Sequence, residues 1–234
     1  QALAAMVDEF FAGAPAVAGD PARFVNIVMV TYNRLEFTRQ AVASVLKNTT
    51  HPYVLTVVDN ASTDGSASYL KDLARKGLVK NLILLEENLG VAKAANLGWL
   101  AEPRAAYYLK LDNDIVIGRK GWLADMVATI DAVPELGAIA YNFEPRSYPL
   151  TTVRGKDIRL KHPGNLGGAC ILIPRRTHER LGFWNEAFGL YGEEDADYGE
   201  RIRCAGLYNA YMPDEDVGLH LPGGKAAIID KTTH

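Results

Sequence analysis

Two acids one residue apart, Asp112 and Asp114, close the run Tyr107-Tyr108-Leu109-Lys110-Leu111. Read as a strand, residues 105–111 are buried, and the two carboxylates emerge on one side of its end. Oxygen donors of this kind suit Mg²⁺ or Mn²⁺, hard cations that keep open positions for the phosphate oxygens of a nucleotide. An isolated Asp-x-Asp is more often a solvated acidic turn, so the surroundings must decide.

Those surroundings are a repeating pattern of strands and helices. Val25 to Val30 is an apolar run broken only by Asn26, which suits a strand covered on both faces. It ends in Thr31-Tyr32-Asn33-Arg34, and a helix spans about Leu35 to Lys47. A second strand, Val54 to Val58, ends in Asp59-Asn60-Ala61-Ser62-Thr63-Asp64-Gly65 before a helix to Arg75. A third, Leu82 to Leu85, leads to Asn88-Leu89-Gly90 and a helix from Val91 to Leu100. Strand and helix alternate before the diacidic site, as in a parallel sheet with helices on both faces. Ligands of such sheets lie beyond the carboxyl ends of the strands. Thr31/Asn33, Asp59/Ser62, Asn88/Lys93 and Asp112/Asp114 all collect there. No G-x-G-x-x-G follows the first strand, and Gly218 to Gly223 lacks the Lys-Ser/Thr of a phosphate loop. An anion held here needs another countercharge. A metal on Asp112 and Asp114 supplies one, and Lys93 or Arg34 adds to it.

The second half reads differently. Trp122 to Val133 is a helix and Gly137 to Tyr141 a short strand. Residues 143–163, with Pro145, Pro149, Pro163, Arg154, Lys156, Arg159 and Lys161, read as a long irregular loop, either a lid or a basic surface loop. Gly167-Gly168, before the strand Cys170 to Ile173, admits close backbone approach of a ligand or simply a tight turn. Four acids within Glu193–Asp197 open a helix to Cys204, where the dipole favours negative charge. Asp197 and Arg201 are spaced to pair along it. Glu194 and Asp195 are left without a structural duty, and crowded acids raise one another's pKa, which suits a general base. A lone histidine such as His220 is more often structural; as a ligand it fits Mn²⁺ better than Mg²⁺.

Composition narrows the class. With 234 residues, 48% hydrophobic and 23% charged, the chain can bury a sizeable core. A net charge of −3 gives no reason to expect a nucleic-acid partner. Cys170 and Cys204 lack metal-ligand spacing and read as reduced thiols in a reducing compartment. No apolar run approaches a membrane span. The chain starts at Gln1, consistent with a piece of a longer multidomain protein.

Taken together these stretches resemble the family 2 glycosyltransferases of the GT-A fold, over roughly residues 25–221. The motifs stand in the family's order: Thr31-Tyr32-Asn33-Arg34, Asp59 to Gly65, Asn88-Leu89-Gly90 with Ala94-Ala95-Asn96-Leu97-Gly98, Asp112-Asn113-Asp114, and Gly192 to Asp197 with Arg201. The resemblance implies one α/β domain with a Rossmann-like, mainly parallel sheet and an acceptor-side subregion. Residues 1–24 would be a leading helix and linker, 25–118 the nucleotide-sugar-binding half, 119–221 the acceptor-binding and catalytic half, and 222–234 a tail. The donor would be a nucleotide-diphospho-sugar, usually UDP-linked, bound by Thr31, Tyr32, Asn33, Arg34, Asp59, Ser62, Asn88, Gly90, Lys93, Asp112 and Asn113. Gly167 and Gly168 would form the floor beneath its sugar. Asp112 would contact the ribose or sugar and share with Asp114 and His220 a Mn²⁺ or Mg²⁺ site. Asp195 would be the base of an inverting displacement, with Glu194 orienting the acceptor and Trp184 and Tyr191 stacking on sugar rings. The acceptor would be a glycan, a lipid-linked glycan or a protein in bacterial cell-surface synthesis. The setting is the cytoplasm or the inner face of the membrane, with room for peripheral association. The absence of Gln-x-x-Arg-Trp after the base argues against a processive polymerase. A retaining transferase, a sugar nucleotidyltransferase and a non-catalytic sugar-binding scaffold are the competing readings. Intact Asp112, Asp114, Asp195 and His220 argue against the scaffold.

Overall fold

A computed structural model describes residues 23–143, 148–161, 164–213 and 217–221. Strand β1 (Val25–Thr31) pairs in parallel with β2 (Tyr53–Asp59) and with β4 (Tyr107–Asp112), and β3 (Asn81–Leu84) continues beyond β2. Parallel neighbours need crossovers, and helices α1 (Leu35–Asn48), α2 (Ser66–Arg75) and α3 (Val91–Leu100) supply them. Alternation sorts side chains to two faces. Val25, Ile27, Met29, Val57 and Leu109 pack with Val42, Val45 and Leu70 of α1 and α2. Val28, Val58 and Tyr108 pack with Ala95 and Trp99 of α3. Both faces are covered, which is why these strands read as continuous apolar runs. The exception, Asn26, is buried but satisfied, donating to the Gly98 carbonyl at 3.0 Å and accepting from Thr56 Oγ1 at 2.8 Å.

Beyond β4 the sheet becomes mixed. The chain continues through β5 (Ile115–Ile117), α4 (Trp122–Ala132), β6 (Leu136–Ala140), β7 (Leu150–Val153), β8 (Lys156–Leu160) and β9 (Cys170–Pro174). Then come α5 (Arg175–Leu181), a 3₁₀ turn (Glu186–Phe188), α6 (Glu194–Cys204), β10 (Tyr208–Tyr211) and β11 (Gly218–His220). Strand β9 inserts antiparallel between β4 and β6, giving the order β3-β2-β1-β4-β9-β6-β10-β8-β7. Strands β5 and β11 form a separate antiparallel ribbon. The sheet is mainly parallel with helices on both faces, as the alternation of elements predicts, and it runs unbroken from the first half into the second.

The irregular loop expected over 143–163 is corrected. Residues 150–160 form a hairpin on the sheet edge, turning through Arg154 and Gly155, both at positive φ (49° and 73°). That is the two-residue turn whose twist matches paired strands, and a glycine at its second position was the local signal. Three of the basic residues are engaged by the domain itself: Arg154 pairs with Glu135, Arg159 donates to the Tyr148 carbonyl at 2.9 Å, and Lys161 donates to the Tyr148 hydroxyl at 2.7 Å. The helix expected within residues 3–11, the linker except Arg23 and Phe24, the 222–234 tail, Pro145 and Pro163 lie outside the described residues. Among the described residues no helix is long and apolar enough to cross a membrane.

Candidate active site

The carboxyl ends of β1, β2 and β4 lie side by side. After β1 the chain turns through Asn33 and Arg34, both left-handed (φ 54° and 64°), a conformation costing roughly 1–2 kcal/mol per non-glycine residue. Contacts to the next loop offset it. Asn33 N–H donates to Ser62 Oγ (2.7 Å), Asn33 Oδ1 accepts from Thr63 N–H (2.8 Å), and Leu35 N–H donates to Asp64 Oδ2 (2.7 Å). Asp59 staples the two loops. Its Oδ1 accepts from Thr31 Oγ1 (2.9 Å) and Ser62 Oγ (2.6 Å), and its Oδ2 from Ser62 N–H (3.0 Å). These use three of the carboxylate's roughly four acceptor sites, so a base or ribose must share what remains. Thr31 is fully buried and its hydroxyl is spent on Asp59, so its side chain is not available to a nucleotide. Tyr32 is half-buried at the same rim.

The loop after β3 is held by an unpredicted residue. Asn60 Oδ1 accepts from Leu89 N–H (2.8 Å), and its Nδ2 donates to the Gly90 carbonyl (3.3 Å). Asn88 Oδ1 accepts from Gly90 N–H at 3.0 Å. A Cβ on Gly90 would stand 2.3 Å from the Gly189 carbonyl, so the glycine admits the chain that leads to α6. Asn88 and Gly90 therefore shape this corner of the site, and Lys93 is exposed on the first turn of α3.

Alternation along β4 places Tyr108, Lys110 and Asp112 on one face. Lys110, read from sequence only as part of an apolar run, is 4% exposed, pairs with Asp112 and stands 5.9 Å over the Trp184 ring. Burial opposes its charge, but Asp112 outweighs that, helped by Glu194 and Asp195, and the ammonium is held above its ordinary pKa. Asn113 is buried and donates to Thr38 Oγ1 at 3.0 Å, so it braces α1, a correction to its expected nucleotide contact. Asp114 Oδ2 accepts from Arg34 Nη2 at 3.0 Å and lies 3.3 Å from His220 Nε2. Strand β11 delivers that histidine: His220 pairs with Ile115, and Leu221 N–H donates to the Asp114 carbonyl at 2.8 Å. Burial works against ionisation of Asp114, but His220 and Arg34 prevail and hold the carboxyl below the usual range.

Among the described residues no three His, Cys, Asp or Glu side chains already converge as a metal cage. Asp112 is turned to Lys110, and Asp114 is shared by Arg34 and His220. The donor chemistry still fits a divalent cation, because Asp114 Oδ1 is buried without a hydrogen-bond partner among the described residues. Carboxylate oxygens with one imidazole nitrogen are a set that Mn²⁺ accepts.

The second acidic group lies at the start of a helix of the second half. Helix α6 opens at Glu194 after Glu193 in the left-handed region, with Glu194, Asp195 and Asp197 in its first turn. Asp197 accepts from Arg201 Nε at 2.8 Å, as their spacing predicts, and Arg201 also donates to the Leu181 and Phe183 carbonyls. Asp195 Oδ2 accepts from Gly168 N–H at 2.9 Å, and Gly167 N–H donates to the Tyr211 hydroxyl at 2.9 Å. Asp112 N–H donates to the Ala169 carbonyl at 2.9 Å. The segment 167–169 thus ties the Asp112–Asp114 turn to the acid-bearing helix. A Cβ on Gly168 would stand 3.3 Å from Trp184 Cη2, a tight approach, and 3.4 Å from Asp195 Cβ, an ordinary contact. Glu194 is 7% exposed, and burial raises its pKa, with Lys110 acting against the rise. Trp184 is fully buried and edge-on to Trp99, so it offers no face for a sugar ring, a further correction. Tyr191 is 55% exposed.

Comparison with known proteins follows from this geometry. The model of the family described as "Glycosyl transferase family 2" matches residues 26–182. The N-acetylglucosaminyl-diphospho-decaprenol L-rhamnosyltransferase of Mycobacterium tuberculosis is 27% identical across 83% of this chain and 75% of its own. The mannosyltransferase PcManGT from Pyrobaculum calidifontis, solved with GDP-Man and Mn²⁺, matches with a TM-score of 0.66 at 20% identity, covering 97% of this chain and 70% of that one. GalNAc-T7, solved with UDP, GalNAc and Mn²⁺, matches with a TM-score of 0.66 at 17% identity, covering 88% and 45%. At those identities the structural likeness speaks for the fold, and the family model speaks for descent. The chain belongs to glycosyl transferase family 2 and carries its chemistry on a GT-A type sheet.

Proposed function

We propose that this glycosyltransferase moves a sugar from a UDP-linked donor to an acceptor hydroxyl with inversion, using Asp195 as the base. The observation that carries this reading is the 167–169 segment. Two 2.9 Å bonds, from Gly168 N–H to Asp195 and from Asp112 N–H to Ala169, hold the base carboxylate opposite the diacidic turn. One Asp195 oxygen is oriented by the amide, leaving the other for the acceptor. As the acceptor oxygen bonds to the anomeric carbon, its proton passes to Asp195. The bond from that carbon to the diphosphate oxygen breaks with its electron pair leaving on the nucleotide. Glu194 lies beside the acceptor path, while Arg34 and Lys93 offer cationic groups to the diphosphate. A divalent cation held by Asp114, His220 and Asp112 would supply Lewis-acid stabilisation of the leaving group. The Mycobacterium tuberculosis relative is named for a lipid-diphosphate-linked sugar, which supports a lipid-linked glycan acceptor.

Thermal unfolding with UDP, GDP, CDP and dTDP, each with Mn²⁺ or chelator, tests the donor half. A ligand specific for the folded state stabilises by about 2.7 kcal/mol at a hundredfold excess over Kd. The expected result is a rise in Tm with UDP that chelator removes. A rise with another nucleotide reassigns the donor, and no rise with any of them overturns the reading.

A further inference from the structure

We infer that Arg34 is a built-in counterion that opposes divalent metal at Asp114 until a donor diphosphate draws its guanidinium away. The inference rests on the donor-and-metal reading above. The guanidinium lies 3.0 Å from Asp114 Oδ2, with side-chain exposures of 19% and 8%, so water screens the pair poorly. Its position is defined rather than casual. The left-handed backbone at Asn33 and Arg34 is locked by the Ser62, Thr63 and Asp64 contacts, and the guanidinium lies 4.6 Å from the centre of the Phe37 ring.

Asp114 is therefore lopsided. Oδ2 faces Arg34 and His220, while Oδ1 is buried and has no hydrogen-bond partner among the described residues. A divalent cation reaching Oδ1 would stand one carboxylate's width from a guanidinium on Oδ2, and like charges at that range in poorly screened surroundings repel strongly. The conflict ends if the guanidinium turns to a ligand with its own negative charge. A diphosphate offers oxygens that suit a planar fork of donors. Metal and nucleotide binding thus become mutually dependent, and metal without donor is disfavoured.

The sign of one experiment separates this role from simple bracing. If Arg34 only steadied Asp114, its removal would loosen the ligand and weaken metal binding. As a counterion, its removal strengthens it. Mn²⁺ binding to the whole chain, read by the EPR signal of free Mn²⁺ without nucleotide, is expected to tighten roughly tenfold or more in Arg34→Gln. UDP affinity at saturating Mn²⁺ is expected to weaken about tenfold in the same variant. Arg34→Lys, which keeps the charge, should stay closer to the parent on both measures. Should Arg34→Gln fail to fold, Phe37→Leu removes the ring beneath the guanidinium and should tighten Mn²⁺ in the same direction by a smaller factor. Equal or weaker Mn²⁺ binding in the folded variant overturns the counterion role while leaving the transferase reading intact. If parent and variants all ignore Mn²⁺ yet bind UDP in chelator, the counterion and the metal site fall together.

Discussion

The two acidic groups of the candidate site are chemically alike but differently supported. At the Asp112–Asp114 turn each carboxylate meets a cation: Lys110 for Asp112, and Arg34 with His220 for Asp114. At the start of α6, Asp195 is held by a backbone amide, and Glu194 is buried with Lys110 acting only at longer range. The consequences are opposite. Asp114 titrates below the usual carboxylate range and Glu194 above it. At Asp114 the neighbouring groups outweigh burial and keep the acid ionised, which suits holding a metal, whereas at Asp112 burial outweighs Lys110 and raises the pKa. Burial without a paired cation favours the protonated form, which suits a region where protons change hands. Two clusters of Asp and Glu thus acquire separate tasks from their neighbours.

The largest expected effect bears on the α6 side. Asp195→Asn keeps the Gly168 contact but removes the proton acceptor, and should cut turnover by about 10²–10⁴-fold. Nucleotide affinity should be unchanged by titration calorimetry. Turnover within a few-fold of the parent would move the base elsewhere. Next comes the turn: Asp114→Ala should abolish the Mn²⁺-dependent part of UDP binding and leave Arg34 and His220 without their shared carboxylate. An unaltered UDP affinity in Mn²⁺ would erase the contrast between the two groups.

The smallest effect concerns stability. Because the folded pKa of Glu194 is raised, its contribution to stability is full below the unfolded value of about 4.3 and is lost as pH rises through the folded value. Glu194→Gln should therefore raise stability at pH 7–8 by on the order of 1 kcal/mol. The gain should vanish near pH 4, where the parent is itself protonated. A gain independent of pH would mean that packing, not charge, separates the two variants.

Much of the fold was legible in the sequence because its signals are local. Apolar runs of strand length, helices between them and polar residues at four strand ends follow from neighbours within a few positions. The pairing of Asp197 with Arg201 was legible for the same reason, being one helical turn apart. The hairpin over 150–160 was missed because three prolines and four basic residues outweighed the two-residue turn at Arg154-Gly155. Strand β8 is held by β10, about fifty residues further along the chain.

What sequence determined alone was the inventory: an alternating α/β chain, two acidic groups, a late histidine and paired glycines. Tertiary structure decided what those groups meet. Burial closed off Thr31, Asn113 and Trp184, and exposed the significance of Lys110 as a charge inside the sheet. The β5–β11 ribbon brought His220 to Asp114, and antiparallel insertion of β9 brought Gly168 to Asp195. The physical reason is range. Periodicity and capping act over a few residues. The pairing of a charge with its counterion depends on segments that meet only once distant strands have found their register.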